Sequence, residues 1–213
     1  MLKIPTNLLN AISQFAATKE LRDYLNGVTL ELRGGVLRMM ATDGVLVGVC
    51  LLPDEYPPEE ADGAWIMPKA MVEAIIKSKV KQSYVTIGPD SVTNGSSATL
   101  SVSLNGAQLS FRAIEARPID WRRVIQIPNM PVAPSNFDAA LLGRIAKASK
   151  LSGSSKWGYF GLQQYGDKTG LFSIDGVNIV GAVSPLNPNT TPQFSATLLH
   201  DTVDHVLGAE QFV

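Results

Sequence analysis

The sequence holds one cysteine and two histidines in 213 residues. Cys50 therefore has no partner for a disulfide within the chain, and no paired-cysteine metal motif is present. On a helix, His200 and His205 would lie on different faces because they are five positions apart, which argues against a shared metal ion. No apolar run approaches the roughly 20 residues that span a bilayer, and the first residues do not form a secretory signal peptide. These absences predict a cytoplasmic protein without a metal ion or cofactor.

Sequence motifs of catalysis are also missing. There is no glycine-rich phosphate loop and no Gly-x-Ser-x-Gly nucleophile motif. Asp43 and Asp175 each precede a glycine in a predicted turn, where aspartate is common because its side chain accepts hydrogen bonds from nearby backbone amides. The sequence therefore predicts that the chain is not an enzyme, and sets aside a catalytic role for these aspartates and the two histidines.

The charged residues are balanced overall but unevenly distributed. The chain has 18 lysines and arginines and 19 aspartates and glutamates. Because these charges nearly cancel, the whole molecule has no net attraction for nucleic acid. Three lysines nevertheless crowd residues 77–81, and Arg144, Lys147 and Lys150 recur every third position in a predicted helix. Such a stripe is most often a solvated face. The alternative is a row of phosphate contacts, which would bind DNA without regard to its sequence.

Alternating apolar and polar residues predict strands over 28–33, 36–41, 45–52, 98–104 and 107–114. Asn105 and Gly106 predict the tightest hairpin because both tolerate the positive φ angles of a type I′ turn. Helical spacing begins at Thr6 or Asn7, at Pro68, and at Ser135 or Asn136, and a fourth helix is predicted over 195–207. The order is strand, helix, three strands, helix and three strands, which restarts after a Pro-rich joint at 128–134.

The restart is an internal repeat. The turn at 42–45 corresponds to the turn at 174–177, an offset of 132 positions that also superimposes the first helix on the third. We therefore predict a complete domain over 1–127, the joint at 128–134, and an abbreviated domain over 135–213. By this period, the second domain ends about 40 residues before its last strands would be complete.

Four segments resemble one family. They read RDYLNGV at 22–28, ATDG at 41–44, IMPK at 66–69 and RPIDWRRVI at 117–125. In the same order they are similar to RYYLNG, ATDGHRLA, IVPRK and RFPDYRRVLP in the bacterial DNA polymerase III beta sliding clamp, from its middle domain to the joint with its last domain. Four matches in order over about 110 residues are more specific than any one of them.

This resemblance implies an α+β DNA clamp fold of duplicated βαβββ units, with helices lining a central hole. It implies a processivity factor that tethers a DNA polymerase to duplex DNA through basic side chains on the helices. The candidate DNA contacts are Lys19, Arg22, Lys77, Lys79, Lys81, Arg144, Lys147 and Lys150. It also implies an apolar groove for client peptides. The candidate groove residues are Leu25, Thr42, Gly44, Val45, Leu46, Val47, Ile119, Arg123 and Val124.

Several departures from the family pattern leave alternatives open. Val45 and Leu46 replace the family's His-Arg after the turn, and the family's last strands, which form a second groove wall and a subunit edge, have no match. By analogy with two-domain clamps, three copies would form a ring, with a dimer or monomer as the alternative. A second hypothesis is a non-encircling adaptor or decoy that binds clamp-interacting peptides. A phage or mobile element is the expected source, and a clamp loader is a further possible partner.

Overall fold

The computed structural model describes residues 1–56, 62–87, 98–125, 136–165 and 169–186. It contains three α-helices: α1 Thr6–Ser13, α2 Lys69–Lys77 and α3 Ala139–Ser152. The strands are β1 Leu2–Pro5, β2 Val28–Arg33, β3 Val36–Thr42, β4 Leu46–Glu55, β5 Gly63–Met67, β6 Gln82–Ile87, β7 Thr99–Leu104, β8 Ala107–Arg112, β9 Gly161–Tyr165, β10 Thr169–Ile174 and β11 Ile179–Val183. Two 3-10 turns cover Asp23–Leu25 and Trp121–Arg123. The predicted fourth helix at 195–207 lies outside the described residues.

The strands form two sheets. One has the order β1-β6-β7-β8 and the other β5-β2-β3-β4-β11-β10-β9. We call β1, α1 and β2–β4 the first unit, β5, α2 and β6–β8 the second unit, and α3 with β9–β11 the third unit. The first unit contributes β1 to the sheet of the second unit, and the second unit contributes β5 to the sheet of the first. The exchange of β1 and β5 joins the two βαβββ units into one folded domain. Duplicated units associate in this way when neither can cover its own apolar face.

The third unit continues the seven-stranded sheet. Its last strand, β11, pairs antiparallel with β4, with Gly181 opposite Gly48. Behind this seam, α3 packs beside α1, and the rings of Phe15 and Phe172 lie 5.5 Å apart. A single core cluster spans all three units, from Leu2 to Val183. The division into two domains stays a prediction, and the structure joins its two sides through a continuous sheet.

The repeat has an offset of 133 in helices and strands, one more than the turn motif indicates. Ile12 and Ile145 are both fully buried, and Gly48 and Gly181 both face the helices. An offset of 132 would instead match Gly48 with Val180, whose side chain points to the opposite face of the sheet because strand residues alternate. The turn between β10 and β11 thus breaks the register by one position, and the turn motif alone misplaces the repeat.

The turn at Asn105 and Gly106 was predicted correctly from the sequence, but the helix caps were not. Asn105 and Gly106 have φ angles of 49° and 84°, which confirms the predicted turn. The caps expected at Thr6 or Asn7 and at Ser135 or Asn136 are wrong: α1 follows Pro5, and α3 is capped by Asp138, whose carboxylate accepts the Ala140 N–H at 2.7 Å. The third helix, predicted over about 137–151, begins at Ala139 and ends at Ser152, and Gly153 follows it in the left-handed region.

Candidate functional site

The seven-stranded sheet separates two surfaces. Successive side chains of β2 point to opposite faces of the sheet. Those of Val28, Leu30 and Leu32 point to the three helices, whereas that of Glu31 points to the other face. We call the first the helix face and the second the outer face. On the helix face, α1 lies between α2 and α3. The predicted DNA contacts Arg144, Lys147 and Lys150 belong to α3 on the helix face, whereas the predicted groove residues Val47 and Ile119 lie on the outer face.

An apolar cluster lies on the outer face where β4 meets β11. Its buried members come from β3, β4 and β11, and the segment 117–125 packs over them. The cluster consists of Met40, Val47, Val49 and Ala182, with Ile119, Trp121, Ile125 and Leu171 against them. The groove candidates Val47 and Ile119 therefore lie in one cluster, together with residues of strand β11 from the third unit.

An open cleft of about 470 Å³ adjoins this cluster. Strands β9, β10 and β11 form its floor, and Ile125 forms one wall. The lining residues are Ile125, Gly161, Leu162, Gln163, Leu171, Phe172, Ser173, Val180 and Gly181. We call it the outer cleft. The third unit thus supplies the floor of this cleft. Leucine, isoleucine and valine side chains with a few polar neighbours suit the anchors of a short peptide.

Glu31 anchors the segment that forms the cleft wall. Its carboxylate accepts two hydrogen bonds from the Arg122 guanidinium, at 2.8 and 2.9 Å, and a longer one from the Trp121 indole N–H at 3.4 Å. The Arg122 guanidinium also lies 4.3 Å from the centre of the Trp121 ring. A bidentate contact of this kind fixes the orientation of the Arg122 guanidinium as well as its position. The 3-10 turn Trp121–Arg123 is therefore held flat on the outer face.

The pKa of Glu31 reflects this pairing. Burial raises it, but the hydrogen bonds from Arg122 and Trp121 and the positive charges of Arg122 and Arg38 outweigh burial and hold the pKa below its ordinary value of 4.5. A carboxyl whose pKa is lowered on folding stabilises the folded state above its unfolded pKa. That contribution is lost as the pH falls through the lower folded-state pKa.

Replacing Glu31 by glutamine should destabilise the protein at neutral pH by on the order of 1 kcal/mol, because the guanidinium loses its ionised partner. The difference from the parent should vanish once the pH falls below the ordinary range of a glutamate. Urea unfolding at several pH values measures both effects. Glu73→Gln is the matched control, since its carboxylate pairs with exposed Lys77 on the surface of α2. An equal loss of stability in both variants would contradict the anchoring role.

The remaining groove candidates are spread over different environments. Leu25 and Leu46 are buried, and Leu46 faces the helices, so neither reaches the outer cleft. Val45 is half exposed, and its carbonyl accepts the Ser184 N–H at 2.8 Å just beyond β11. The Thr42 hydroxyl accepts the Gly44 N–H at 3.0 Å within the turn. Arg123 and Val124 are exposed beside the cleft wall.

The turn at Asp43 also holds α3. One carboxylate oxygen of Asp43 accepts the N–H groups of Val45 and Leu46, and the other accepts from the Arg144 guanidinium. Arg144 Nε and Nη2 donate to the carbonyls of Gln14 and Ala16 at the end of α1, at 2.8 and 3.1 Å. Each nitrogen of this guanidinium thus has a partner within the protein. The structure therefore places Arg144 at the seam between the first and third units.

The other predicted DNA contacts lie at the surface. Lys147 and Lys150 are exposed on α3, and Lys79 and Lys81 are exposed just after α2. Two of the candidates have acidic neighbours: Lys77 lies 2.9 Å from Glu73, and Arg22 lies 3.4 Å from Glu20. The last candidate, Lys19, is exposed in the loop after α1. Apart from Arg144, these side chains are exposed to solvent.

Two exposed aromatic residues next to α3 were not anticipated from the sequence. Trp157 and Tyr159 expose 67% and 72% of their surface. Between them, Gly158 packs so closely on α3 that a Cβ atom there would lie 3.0 Å from Lys150 Cε. The Lys156 ammonium lies 5.5 Å from the centre of the Trp157 ring. Only the spacing of two aromatics around a glycine, close to lysines, could have drawn attention to this loop.

The structure offers no alternative catalytic or metal site within the ranges it describes. No group of three or more His, Cys, Asp or Glu side chains is placed there to hold a metal ion. Both histidines lie outside those ranges. Burial raises the pKa of the Cys50 thiol to about 12, so it stays protonated. Among the described helices, none is long and apolar enough to cross a membrane.

Comparison with known proteins identifies relatives of one kind. No protein-family model matches the chain. The Beta sliding clamp of Haemophilus influenzae is 29% identical over 157 residues, which cover 70% of this chain and 40% of that protein. The Beta sliding clamp of Pseudomonas aeruginosa is 35% identical over 66 residues, or 31% of this chain and 18% of that protein. The chain thus spans at most about two fifths of the length of these curated relatives.

Solved structures show the same fold. The DNA polymerase III subunit beta of Pseudomonas aeruginosa matches 87% of this chain and 65% of its own, with a TM-score of 0.65 and 14% identity. A Helicobacter pylori beta clamp bound to a DNA ligase peptide matches the same shares, with a TM-score of 0.60 and 10% identity. All of these proteins are sliding clamps, in agreement with the prediction that the chain is not an enzyme. The chain is thus similar to the bacterial beta sliding clamps and has the DNA clamp fold.

Proposed function

We propose that this chain is a sliding clamp-like processivity factor that holds duplex DNA on its helix side and binds client peptides, among them one from a DNA polymerase, in the outer cleft. The observation that carries the proposal is the separation of the two surfaces by one continuous sheet. A tether needs such a separation, because the bound client must not compete with DNA for the same surface. This role requires no catalytic group.

The charges on the helix side support the DNA contact. Lys147 and Lys150 project from α3 without an acidic residue on that helix, and Lys79 and Lys81 follow α2. Contacts from flexible lysines to phosphates carry no sequence information, which allows a bound protein to slide. The loop with Trp157 and Tyr159 lies beside Lys150 and extends this surface.

The outer cleft supports the client contact. Its floor and wall are apolar, and its size suits two or three side chains of a short peptide. Arg123 is exposed at its edge and could pair with an acidic or polar flank of that peptide. The Helicobacter pylori clamp with the same fold is described with a bound DNA ligase peptide, which supports the assignment of a peptide as the ligand.

Retention on DNA tests the tether. The protein should remain bound to nicked circular DNA and dissociate after the circle is cut, because a protein that encircles DNA leaves only over a free end. Lys147→Glu with Lys150→Glu should weaken the association about tenfold at low salt and flatten its dependence on salt concentration. Gel filtration of complexes with and without linearisation measures retention, and fluorescence anisotropy measures affinity.

Arg33→Glu is the matched control for the charge reversal. Arg33 is an exposed basic residue of β2 on the outer face, so the same change of charge occurs far from the proposed DNA surface. Equal weakening by Arg33→Glu would show a general charge effect and refute the assignment of Lys147 and Lys150. Equal retention on circular and linear DNA would refute encirclement and favour the non-encircling adaptor.

A further inference from the structure

The segment between α3 and β9 carries two aromatic side chains that lie outside the hydrophobic core. Residues 154–160 form this segment, which we call the aromatic loop. Trp157 and Tyr159 expose 67% and 72% of their surface, more than any other aromatic side chain in the part of the chain that the structure describes. Apolar surface in contact with water is unfavourable. Two such rings side by side therefore indicate a ligand that covers them.

The equivalent loop of the first unit shows that the fold does not require exposed rings here. With the offset of 133, Trp157 corresponds to Tyr24, which is only partly exposed. Tyr159 corresponds to Asn26, whose side chain accepts the Glu20 N–H at 3.0 Å and donates to the Glu20 carbonyl at 2.7 Å. The first unit thus uses this position to hold its loop together. The third unit places an exposed ring there instead.

The backbone of the aromatic loop is held in place on two sides. The Ser155 hydroxyl oxygen accepts the backbone N–H groups of residues 157–159, at 3.1 to 3.2 Å. The Ser149 hydroxyl of α3 donates to the Tyr159 carbonyl at 2.6 Å. Gly158 lies directly on α3, since a Cβ atom there would be 2.6 Å from a carbonyl oxygen of that helix. The two rings are therefore presented on a preorganised loop, which lowers the entropy cost of binding a ligand.

Lysine side chains surround the two rings. The Lys156 ammonium lies over one face of the Trp157 ring, 5.5 Å from its centre, and leaves the other face open. A Cβ atom at Gly158 would lie 3.0 Å from Lys150 Cε, so the Lys150 side chain passes beside the aromatic loop. Lys147 is exposed on the same helix, whose sequence contains no acidic residue. Aromatic rings interleaved with cations match a ligand that carries both flat bases and phosphates.

We propose that the aromatic loop binds unpaired bases of single-stranded DNA, which stack on Trp157 and Tyr159. The phosphate contacts are Lys147, Lys150 and Lys156. In a duplex, neighbouring base pairs cover the flat faces of the bases, so exposed rings gain contact only from a strand whose bases are free. A peptide with apolar anchors would also cover the rings, but the cations favour a polyanion. The inference rests on the proposed function in taking α3 as part of a DNA surface, and it adds the single strand as a ligand of that surface.

An open depression beside Tyr159 gives a base room to enter. Its volume is about 570 Å³, and Ser154, Ser155 and Asp175 are among the residues that line it. Serine and aspartate offer hydrogen-bonding groups to the polar edge of a base. The exposed Asp175 also disfavours a phosphate at this place because like charges repel. We therefore expect the base inside the depression and the phosphates outside it, next to the lysines.

Tryptophan fluorescence of the full chain tests the stacking. An oligo-dT strand should quench the emission of Trp157, because a base stacked on an indole ring quenches it. Trp157→Ala should weaken the affinity for labelled oligo-dT about tenfold, whereas Trp157→Phe keeps a ring and should retain most of the affinity without the quenching. Fluorescence anisotropy measures both affinities. Tyr84→Ala is the matched control, since Tyr84 is an exposed ring of β6 in the four-stranded sheet, and its loss should change nothing.

Binding to blunt duplex DNA separates this inference from the proposed function. Trp157→Ala should leave duplex affinity unchanged, whereas Lys147→Glu with Lys150→Glu should weaken both ligands. A parent that binds duplex but not oligo-dT, or a Trp157→Ala variant that binds oligo-dT as the parent does, would overturn the inference and leave the tether standing. Equal weakening of both ligands by Trp157→Ala would overturn it as well. Quenching of Trp157 by a client peptide and not by oligo-dT would make the loop a peptide contact and the inference wrong. Stacking on oligo-dT without retention on circular DNA would support the inference and contradict the tether.

Discussion

Replacing Gly181 by alanine should destabilise the chain by about 3 kcal/mol, since no room exists for a methyl group at the seam. A Cβ atom at this position would lie 2.1 Å from the Val47 carbonyl oxygen and 2.2 Å from the Phe172 ring. The carbonyl belongs to β4, which is fixed by strands on both sides, so it cannot move away. To make room for the methyl group, β11 must separate from β4 or the Phe172 ring must leave the core.

Urea unfolding, followed by circular dichroism, measures this loss. Gly143→Ala is the matched control because nothing lies within 4 Å of the added methyl group and the residue is exposed in the middle of α3. Alanine there should stabilise the chain by up to about 1 kcal/mol, as it does at exposed helix positions. If Gly181→Ala unfolds at the same urea concentration as the parent, the third unit does not depend on the seam with β4.

The seam also explains why one candidate residue was misinterpreted. Arg144 shares a spacing of three with Lys147 and Lys150, and the sequence therefore grouped them on one face. Each step of three residues turns the direction of a side chain back by about 60°, so Arg144 and Lys150 point about 120° apart. The Arg144 side chain reaches the end of α1 and Asp43, whereas the Lys150 side chain reaches solvent. A partner 101 positions away, such as Asp43, leaves no trace in local spacing.

Local patterns predicted what depends on neighbours along the chain. The alternation at 28–33 correctly predicted a strand, and the dipeptide Asn105-Gly106 correctly predicted a turn, because strand faces and tight turns follow from a few adjacent residues. The pairing of β4 with β11 depends instead on which free strand edge β4 meets in the folded chain. The apolar alternation of both strands fits several partners equally well, so the order of the strands could not be predicted from it.

The outer cleft was only half predicted for the same reason. Val47 and Ile119 were candidates through the family resemblance, whereas Leu171 and Val180 were not among the candidates. Trp121 was not a candidate either, and its anchor, Glu31, lies 90 positions earlier in the chain. A cleft assembled from three distant segments shows in the sequence only as three unrelated apolar patches.

Introducing a charge into the floor of the outer cleft should abolish most of its affinity for a client peptide. Val180 exposes 41% of its surface on the outer face of β11, so glutamate there should be tolerated by the fold. We expect Val180→Glu to weaken binding by about ten- to a hundredfold, because a peptide anchor would have to cover an unpaired carboxylate. Anisotropy of a labelled peptide with leucine and phenylalanine anchors and one acidic residue measures the change.

Leu51→Glu separates this effect from a general one. Leu51 also exposes 41% of its surface on the outer face, but it lies on β4 away from the residues that line the cleft. The same substitution on the same face should leave peptide binding unchanged. If both variants bind the peptide as the parent does, the client site is elsewhere, and if both lose it equally, the peptide responds to the charge of the outer face. Only a loss confined to Val180→Glu fits a peptide that lies over β11, where the third unit completes the cleft begun by the first.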